Sequence, residues 1–485
     1  MLAFGQYRPD VSDYQGEHSQ TISNVLPRAD GYGPMPGFTA FTSAMAAACR
    51  GFFTGRNTDS SPAIFNGTST KLYKLNNTSF SFDDVSKSLS TYTALSANHH
   101  WQFEQFNTRI LAVQANTVPQ TFTLGSSTEF ADLGGSPPQA SYITTVNRFV
   151  VLSGLLSEPF RVHWSGLNAP TTWTSGTTQS DFQDFPRGGV VRGVAGGEYG
   201  LVFQDTMIRR MTYAPGSPLI FQFDELTDDM GLLAPYSLVS VGNRVFFLSA
   251  HGFQKIESGG IPIPIGKERV DRTFFADVDT GNLGLVIGAA DPASSKVFWA
   301  YKSLTGQAGL FDKMLCYDWA LDKWAPIAMT GEYLSTLAQP GLTLEGLDSI
   351  SGSIDALPFS LDDVSTASLT QLSMVNSAHK IGFFTGDNLE ATLVTSEHGN
   401  NGRRMLVRNL RPITDAATVY GSVGSRDTVQ ASVSYGSETA ASTINGMCPQ
   451  RISTRYARGK VRVPAATDWT FATGVEPDIV QEGLR

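Results

Sequence analysis

Cysteine is nearly absent: Cys49, Cys316 and Cys448 are the three in 485 residues, and they stand far apart. An odd, scattered set builds neither a disulfide framework nor a cysteine zinc site, and it fits folding in a reducing cytoplasm. Charge is sparse as well, at 16% of residues with a net charge of −9, and no basic run occurs. Lacking a phosphate-neutralising patch, the chain is not expected to bind nucleic acid tightly, and only transient contact with DNA stays open. No apolar run approaches the ~18 residues of a membrane span. The opening MLAFGQYRPDVSDYQGEHSQ has no charged start followed by an apolar core. Neither a span nor Sec-type export is expected.

Signatures of chemistry are also missing. The seven histidines (His18, His99, His100, His163, His251, His379, His398) show no HxxxH-like ligand spacing beside an acid. No GxSxG or Walker A motif occurs, and the glycine-rich stretch 193–200 lies between β-like segments with no helix to hold a phosphate. The expectation is therefore no catalytic residue, no cofactor and no metal: a protein that is not an enzyme.

What the chain does have is repetition. Hydrophobic residues make up 41% of it, beside 47 Gly and 24 Pro, enough for a large core and two to three domains. The stretch 141–224 writes a four-segment β-like meander twice, as SYITTVNRFVVLSG then EPFRVHWSGLNAPTTW, and again from GGVVRGVAGGEYGLVFQD to PLIFQFDE. Similar units occur before and after it. Their inner apolar segments centre on Ile64, Ile110, Val150, Leu201, Val245 and Val297, at spacings of 46, 40, 51, 44 and 52 residues. Four strands every 40–50 residues predict an all-β fold, a six- or seven-bladed β-propeller, rather than a sandwich. Turns at Asn107, Asn147 and Asn243 precede the most apolar segments, where Asn accepts positive φ and closes a hairpin. Trp164, Tyr213, Phe253 and Tyr317 fall on third strands, where large aromatics fill the widening gap between blades.

The flanks differ. Residues 1–40 read as an extended arm, since SNVLPRADGYGPMPGF is too rich in Pro and Gly for regular structure. The propeller is expected over 41–400, with an irregular insertion near 342–363. GFFTG occurs at both 51–55 and 382–386, as though strands from both chain ends closed the last blade. Residues 401–485 predict an additional small β-sandwich-like C-terminal domain, a platform with Arg at many polar positions. Eleven Lys and Arg there face seven acids, so the rest of the chain is more acidic than the total suggests. That asymmetry would let the tail dock on the acidic part of a neighbour.

Two enzyme-like features need weighing. SGLNAPTTW, 165–173, resembles the Asp-box of sialidase-like propellers, but the spacing differs and Asn168 stands in place of Asp, so it reads as a blade turn. Asp184, Glu198, Asp224 and Glu225 sit at strand ends, where two of them could form a glycosidase pair. They carry the alternative reading, a propeller glycosidase or carbohydrate-binding protein acting on host surface polysaccharide.

A family resemblance spans nearly the whole chain. The phrase Ser23-Asn24-Val25-Leu26-Pro27-Arg28, followed by Gly31-Tyr32 and Pro34-Met35-Pro36-Gly37-Phe38, resembles the opening of tail nozzle proteins of short-tailed bacteriophages. These are also called tail tubular protein B or packaged-DNA stabilisation proteins. FADLGGSPP, RVHWSGLNAPTTW, IGKERVDRTFFADVD and the closing RYARGKVRVP…GVEPDIVQEGLR continue the likeness. The resemblance implies a structural virion protein folded in the host cytoplasm and located in the virion tail. It implies a homohexameric ring below the head-to-tail adaptor, with tail fibres or spikes and a channel plug or needle as further partners. The ring would complete the channel, retain the packaged genome and let DNA pass at ejection. Subunit-interface candidates are then Asn24, Pro27, Arg28, Gly31, Tyr32 and Pro36 in the arm, and Arg403, Arg408, Arg411, Arg455 and Arg458 in the tail domain.

Overall fold

The computed structural model of the protein describes residues 1–14, 16–338, 353, 370–400 and 402–482. Seven four-stranded antiparallel sheets follow one another along the chain. Six are consecutive meanders, at 52–84, 102–132, 140–184, 191–227, 239–264 and 287–331. The seventh consists of Tyr333–Ala338, Thr370–Val375 and Ile381–Asn388, completed on its outer edge by Pro36–Ala40 from the other end of the chain. First strands neighbour first strands around an axis, and that of blade seven touches those of blades six and one. This is a closed seven-bladed β-propeller.

Burial follows the repeat. Second strands have a partner on each edge and a blade on each face, so they become continuous apolar runs. Ile110 to Val113 and Phe246 to Leu248 are wholly buried. The third-strand aromatics pack between blades as expected: Trp164 lies 5.0 Å from Phe221, and Phe253 lies 4.8 Å from Trp299 and 5.2 Å from Trp324. Each indole also finds a carbonyl, Trp299 on Ser237 at 3.0 Å and Trp324 on Ile265 at 3.1 Å. Asn107 and Asn147 take positive φ, 53° and 55°, in their hairpins. In the third predicted turn Gly242 takes the positive φ instead, at 58°, and the Asn243 side chain donates to Ser258.

Closure by both chain ends occurs, but through a different strand from the one the repeated GFFTG suggests. Phe52–Arg56 opens blade one, and Ile381–Asn388 pairs with Pro36–Ala40 in the register Gly382↔Ala40 and Phe383↔Thr39. Gly382 is required there, because a Cβ would stand 2.0 Å from the Thr39 carbonyl oxygen. The insertion near 342–363 lies, Ser353 apart, outside the described residues.

The C-terminal domain is a two-sheet sandwich, and the arm is part of it. One sheet runs Cys448–Thr454, Met405–Thr414, Ala472–Gln481, Gly31–Pro34, Val25–Arg28, with Leu2–Ala3 added on Ala472–Gln481. The other is built on Tyr420–Arg426, Tyr456–Val463, Ala391–Val394 and Ile22–Ser23. Residues 1–40 are thus no free arm: Leu2–Ala3, Ile22–Ser23, Val25–Arg28 and Gly31–Pro34 are sandwich strands, Gln6–Tyr7 and His18–Ser19 pair with each other, and Pro36–Ala40 is a blade strand. The propeller ends at Asn388 rather than near 400, since Ala391–Val394 already belongs to the sandwich. Val25–Arg28 tolerates Pro27 because it is the last strand of its sheet, where a missing N–H costs no ladder bond. The apolar cores of blades five to seven and of the sandwich are continuous.

Candidate functional site: the joint between propeller and sandwich

Strand Gly31–Pro34 of the sandwich passes into strand Pro36–Ala40 of blade seven with Met35 alone between them. Alongside runs the outer strand of blade six, Lys323–Gly331, against which Ile22–Ser23 and Val25–Arg28 pack. Asn24 fastens the two. Its N–H donates to the Pro326 carbonyl at 2.9 Å, its Oδ1 accepts from the Ala328 N–H at 2.8 Å, and its Nδ2 donates to the Glu390 carbonyl at 2.9 Å. The backbone reaches all three by turning to φ 59°, a conformation Asn tolerates better than most residues. Nearby, Lys323 donates to the carbonyls of Arg28 and Ala29, and Arg28 to that of Thr470. Tyr32 is 1% exposed, and its hydroxyl donates to Gly5 and accepts from the N–H of Tyr7. Gly31, at φ 148°, passes so close to Ala472 that a Cβ would stand 2.3 Å from its carbonyl oxygen.

A second fastening is ionic. Arg458 bonds Asp13 at 3.0 Å and lies 3.4 Å from Glu397, which also pairs with Arg426. These four groups come from the arm, the segment after Ala391–Val394 and two sandwich strands, and all are largely shielded from water. Burial lifts the Asp13 carboxyl above its ordinary value, against the pull of Arg458. In the sequence Asp13 and Glu397 are isolated acids in polar stretches and carry no spacing signal.

The predicted interface residues therefore divide. Asn24, Pro27, Arg28, Gly31, Tyr32 and Pro36 converge on a joint within the chain. Arg458 is not a surface cation but part of the buried ionic cluster. Arg408 pairs with Asp478 at 3.0 Å and Arg411 with Glu476 at 3.5 Å, across strands of their own sheet. Arg455 sits between the strands Cys448–Thr454 and Tyr456–Val463, and Arg403 is exposed. Much of the basic charge of the tail domain is thus met by its own acids, which shortens its electrostatic reach.

Along the propeller axis, first strands enclose a cavity of about 240 Å³ lined by Glu104, Tyr142, Thr144, Ser240 and Ser335 among others. Burial lifts the Glu104 carboxyl to about 7. At the end where first strands begin, the His100 ring stands 4.6 Å from Tyr236 and 5.1 Å from Tyr333. Burial pushes His100 down to about 3, so it sits there as a neutral ring. A duplex whose major groove alone is about 12 Å wide cannot thread such an axis.

No protein-family model and no curated protein matches this chain. Solved structures do align with it. The extracellular domain of a hybrid two component system from Bacteroides thetaiotaomicron does so at 9% identity and TM-score 0.42, over 72% of this chain and 39% of that one. A computationally designed protein, Ika8, aligns at 10% identity and TM-score 0.36, over 72% and 99%. A quinoprotein alcohol dehydrogenase-like protein from Bacteroides thetaiotaomicron aligns at 10% identity and TM-score 0.35, over 57% and 67%. The chain spans well under half of the first of these. The strand order itself establishes the propeller.

Of the four strand-end acids, Glu198 and Asp224 line one groove of about 510 Å³ with Tyr199 and Tyr213. Gln222 and Arg210 hold Asp224 below its ordinary value. Asp184 pairs with Arg161, and Glu225 with Arg187 and Arg209. The Asp-box-like stretch is a turn between the third and fourth strands of blade three: Asn168 takes φ 53°, and Trp173 is buried. Among the described residues no three His, Cys, Asp or Glu are grouped to hold a metal, and no helix is long and apolar enough to cross a membrane.

Proposed function

We propose that this chain is a structural subunit of the tail nozzle of a short-tailed bacteriophage, six copies forming the ring that completes the DNA channel. The ring would retain the packaged genome and open at ejection. One observation carries the reading: the phrase 23–38, on which the family resemblance rests, is the joint that welds the propeller to the sandwich. A wall element under pressure needs load to pass between its domains without a hinge, and a strand pair continuing from one sheet into the other provides that. The axial cavity is too narrow for a duplex, so the conduit of such a ring lies between subunits. The acidic body would repel phosphates and let DNA slide.

Electron microscopy of the purified protein and of virions, with sedimentation, tests the reading. A ring on the tail axis with a mass of about six times 52.3 kDa is expected. A strictly monomeric protein in purified virions would sink it. The groove of Glu198, Asp224, Tyr199 and Tyr213 favours a second reading, recognition or cleavage of surface polysaccharide. That reading requires polysaccharide binding or turnover that disappears in Glu198→Gln.

A further inference from the structure

The outer strand of a blade is an open edge, and in this molecule such edges are short or covered. Those of blades one, two, three and five have three, two, four and two residues. Blade seven ends on the five residues Pro36–Ala40, which open on a proline, and the nine-residue outer strand of blade six lies against Ile22–Ser23 and Val25–Arg28. Blade four is the exception. Its outer strand, Phe221–Thr227, has seven residues, no proline, and no strand on its far side among the described residues. A long open edge is a template for another chain unless charge guards it. The charges here, Asp224 and Glu225, are already met within the blade, by Arg210 at 3.2 Å and Arg209 at 3.1 Å. Leu219, in the turn that leads into the strand, is 70% exposed.

The sandwich has an open edge of the same length. Cys448–Thr454 is the last strand of its sheet and borders a groove of about 840 Å³, whose other sides carry Leu406, Arg408, Gly436 and Ser437. At one end the Thr439 hydroxyl donates to the Pro449 carbonyl at 3.0 Å, while no strand lies beyond Arg451–Thr454 among the described residues. Arg451, the middle residue, is exposed and has no acid partner among the described residues. One bare edge therefore carries acids and the other a free cation, and neither has a strand partner in its own chain.

We propose that Phe221–Thr227 of one copy pairs antiparallel with Cys448–Thr454 of a second copy, joining blade four to the neighbouring sandwich through main-chain hydrogen bonds. Aligned middle to middle, the strands set Asp224 opposite Arg451 and Gln222 opposite Ser453. Opposite charges facing each other across a strand pair favour that register. Because each copy gives a different strand, the contact is head-to-tail and closes into a ring where the rotation allows. The pairing rests on the nozzle reading in that it names the contact that builds its ring.

Cross-linking of the full-length chain tests the pairing. Cys49, Cys316 and Cys448 are buried, whereas Gln222 and Ser453 are exposed, so a short bis-maleimide reaches thiols introduced at 222 and 453. Opposed Cβ atoms in such a pair stand about 5 Å apart. The double variant Gln222→Cys/Ser453→Cys should give a covalent ladder up to six copies, at least tenfold above either single variant, and a mixture of the two single variants should stop at dimers. A ladder that runs past six keeps the pairing and counts against the nozzle. A ring in electron micrographs with no ladder overturns the pairing and leaves the nozzle reading standing. Dimers formed by Gln222→Cys alone would show the blade edge meeting its own copy about a two-fold axis, which also overturns the pairing, and monomers with no ladder overturn both.

Discussion

Asn24 concentrates the logic of this molecule in one residue. It satisfies one backbone donor and one acceptor on blade six, and a further carbonyl on the sandwich side, from a positive-φ turn. Asn24→Ala should therefore lower stability by about 2 kcal/mol, through lost bonds and a strained backbone. Asn24→Gly, which keeps the turn but not the side-chain bonds, should lose less, and chemical denaturation of the two variants checks the order. Glu104 makes a pH-dependent case. Its folded value, about 7, is raised above the ordinary 4.5, so the folded state holds the proton more tightly than the unfolded one. Its contribution is complete below about pH 4.5 and is lost as pH rises through about 7. Glu104→Gln should match the parent at pH 4 and exceed it by about 3 kcal/mol at pH 8. Melting curves at the two pH values decide it, and an equal difference at both would contradict the assignment. Neither role was legible in the sequence. Asn24 stands in a Pro/Gly-rich stretch that argues for a loop, and Glu104 is one polar residue with no spacing signal.

Strands were legible where their partners are close in sequence. The six complete meanders pair neighbours a few residues apart, so their period and apolar inner segments already specify blades. The sandwich strands within 401–485 were legible as well, but the N-terminal ones were not, because their pairings join distant residues, as in Leu2↔Val475 and Tyr32↔Ala472. These N-terminal strands are also short and rich in Pro and Gly, which by local chemistry argues for a loop. The strand that closes the ring is the most exacting of these elements. Gly382→Ala would push a Cβ into the Thr39 carbonyl and should cost about 3 kcal/mol, with Pro36–Ala40 released first. Limited proteolysis should then cut near residues 41–50 well before the blades are digested. Cleavage spread evenly over the chain would contradict that order.

At the scale of the whole molecule, charge divides unevenly. Residues 401–485 carry eleven cations and seven acids, and the rest carries twenty-four and thirty-seven. Ion pairs inside the sandwich, such as Arg408 with Asp478 and Arg462 with Glu438, absorb much of that contrast. If the subunits assemble into a ring, contacts other than long-range charge must hold it. Raising NaCl from about 0.1 to 1 M, which shortens the screening length from ~10 to ~3 Å, should leave the ring intact in sedimentation. Dispersal by salt would restore the basic tail as the main adhesive.

Because the outer strand of the last blade is made first and its partner nearly last, the timing of synthesis matters. Pro36–Ala40 leaves the ribosome long before Ile381–Asn388, and at ~5–20 residues per second the interval is roughly 20–70 s. Throughout that time the nascent chain carries finished blades, an unclosed ring edge and a sticky N-terminal ribbon with nothing to pair with. A chain ended after residue 375 should stay in that state, and a larger share of it than of the full-length chain should be recovered in the insoluble fraction. The same early ribbon makes every copy, while it is being translated, a template for its neighbours on the message.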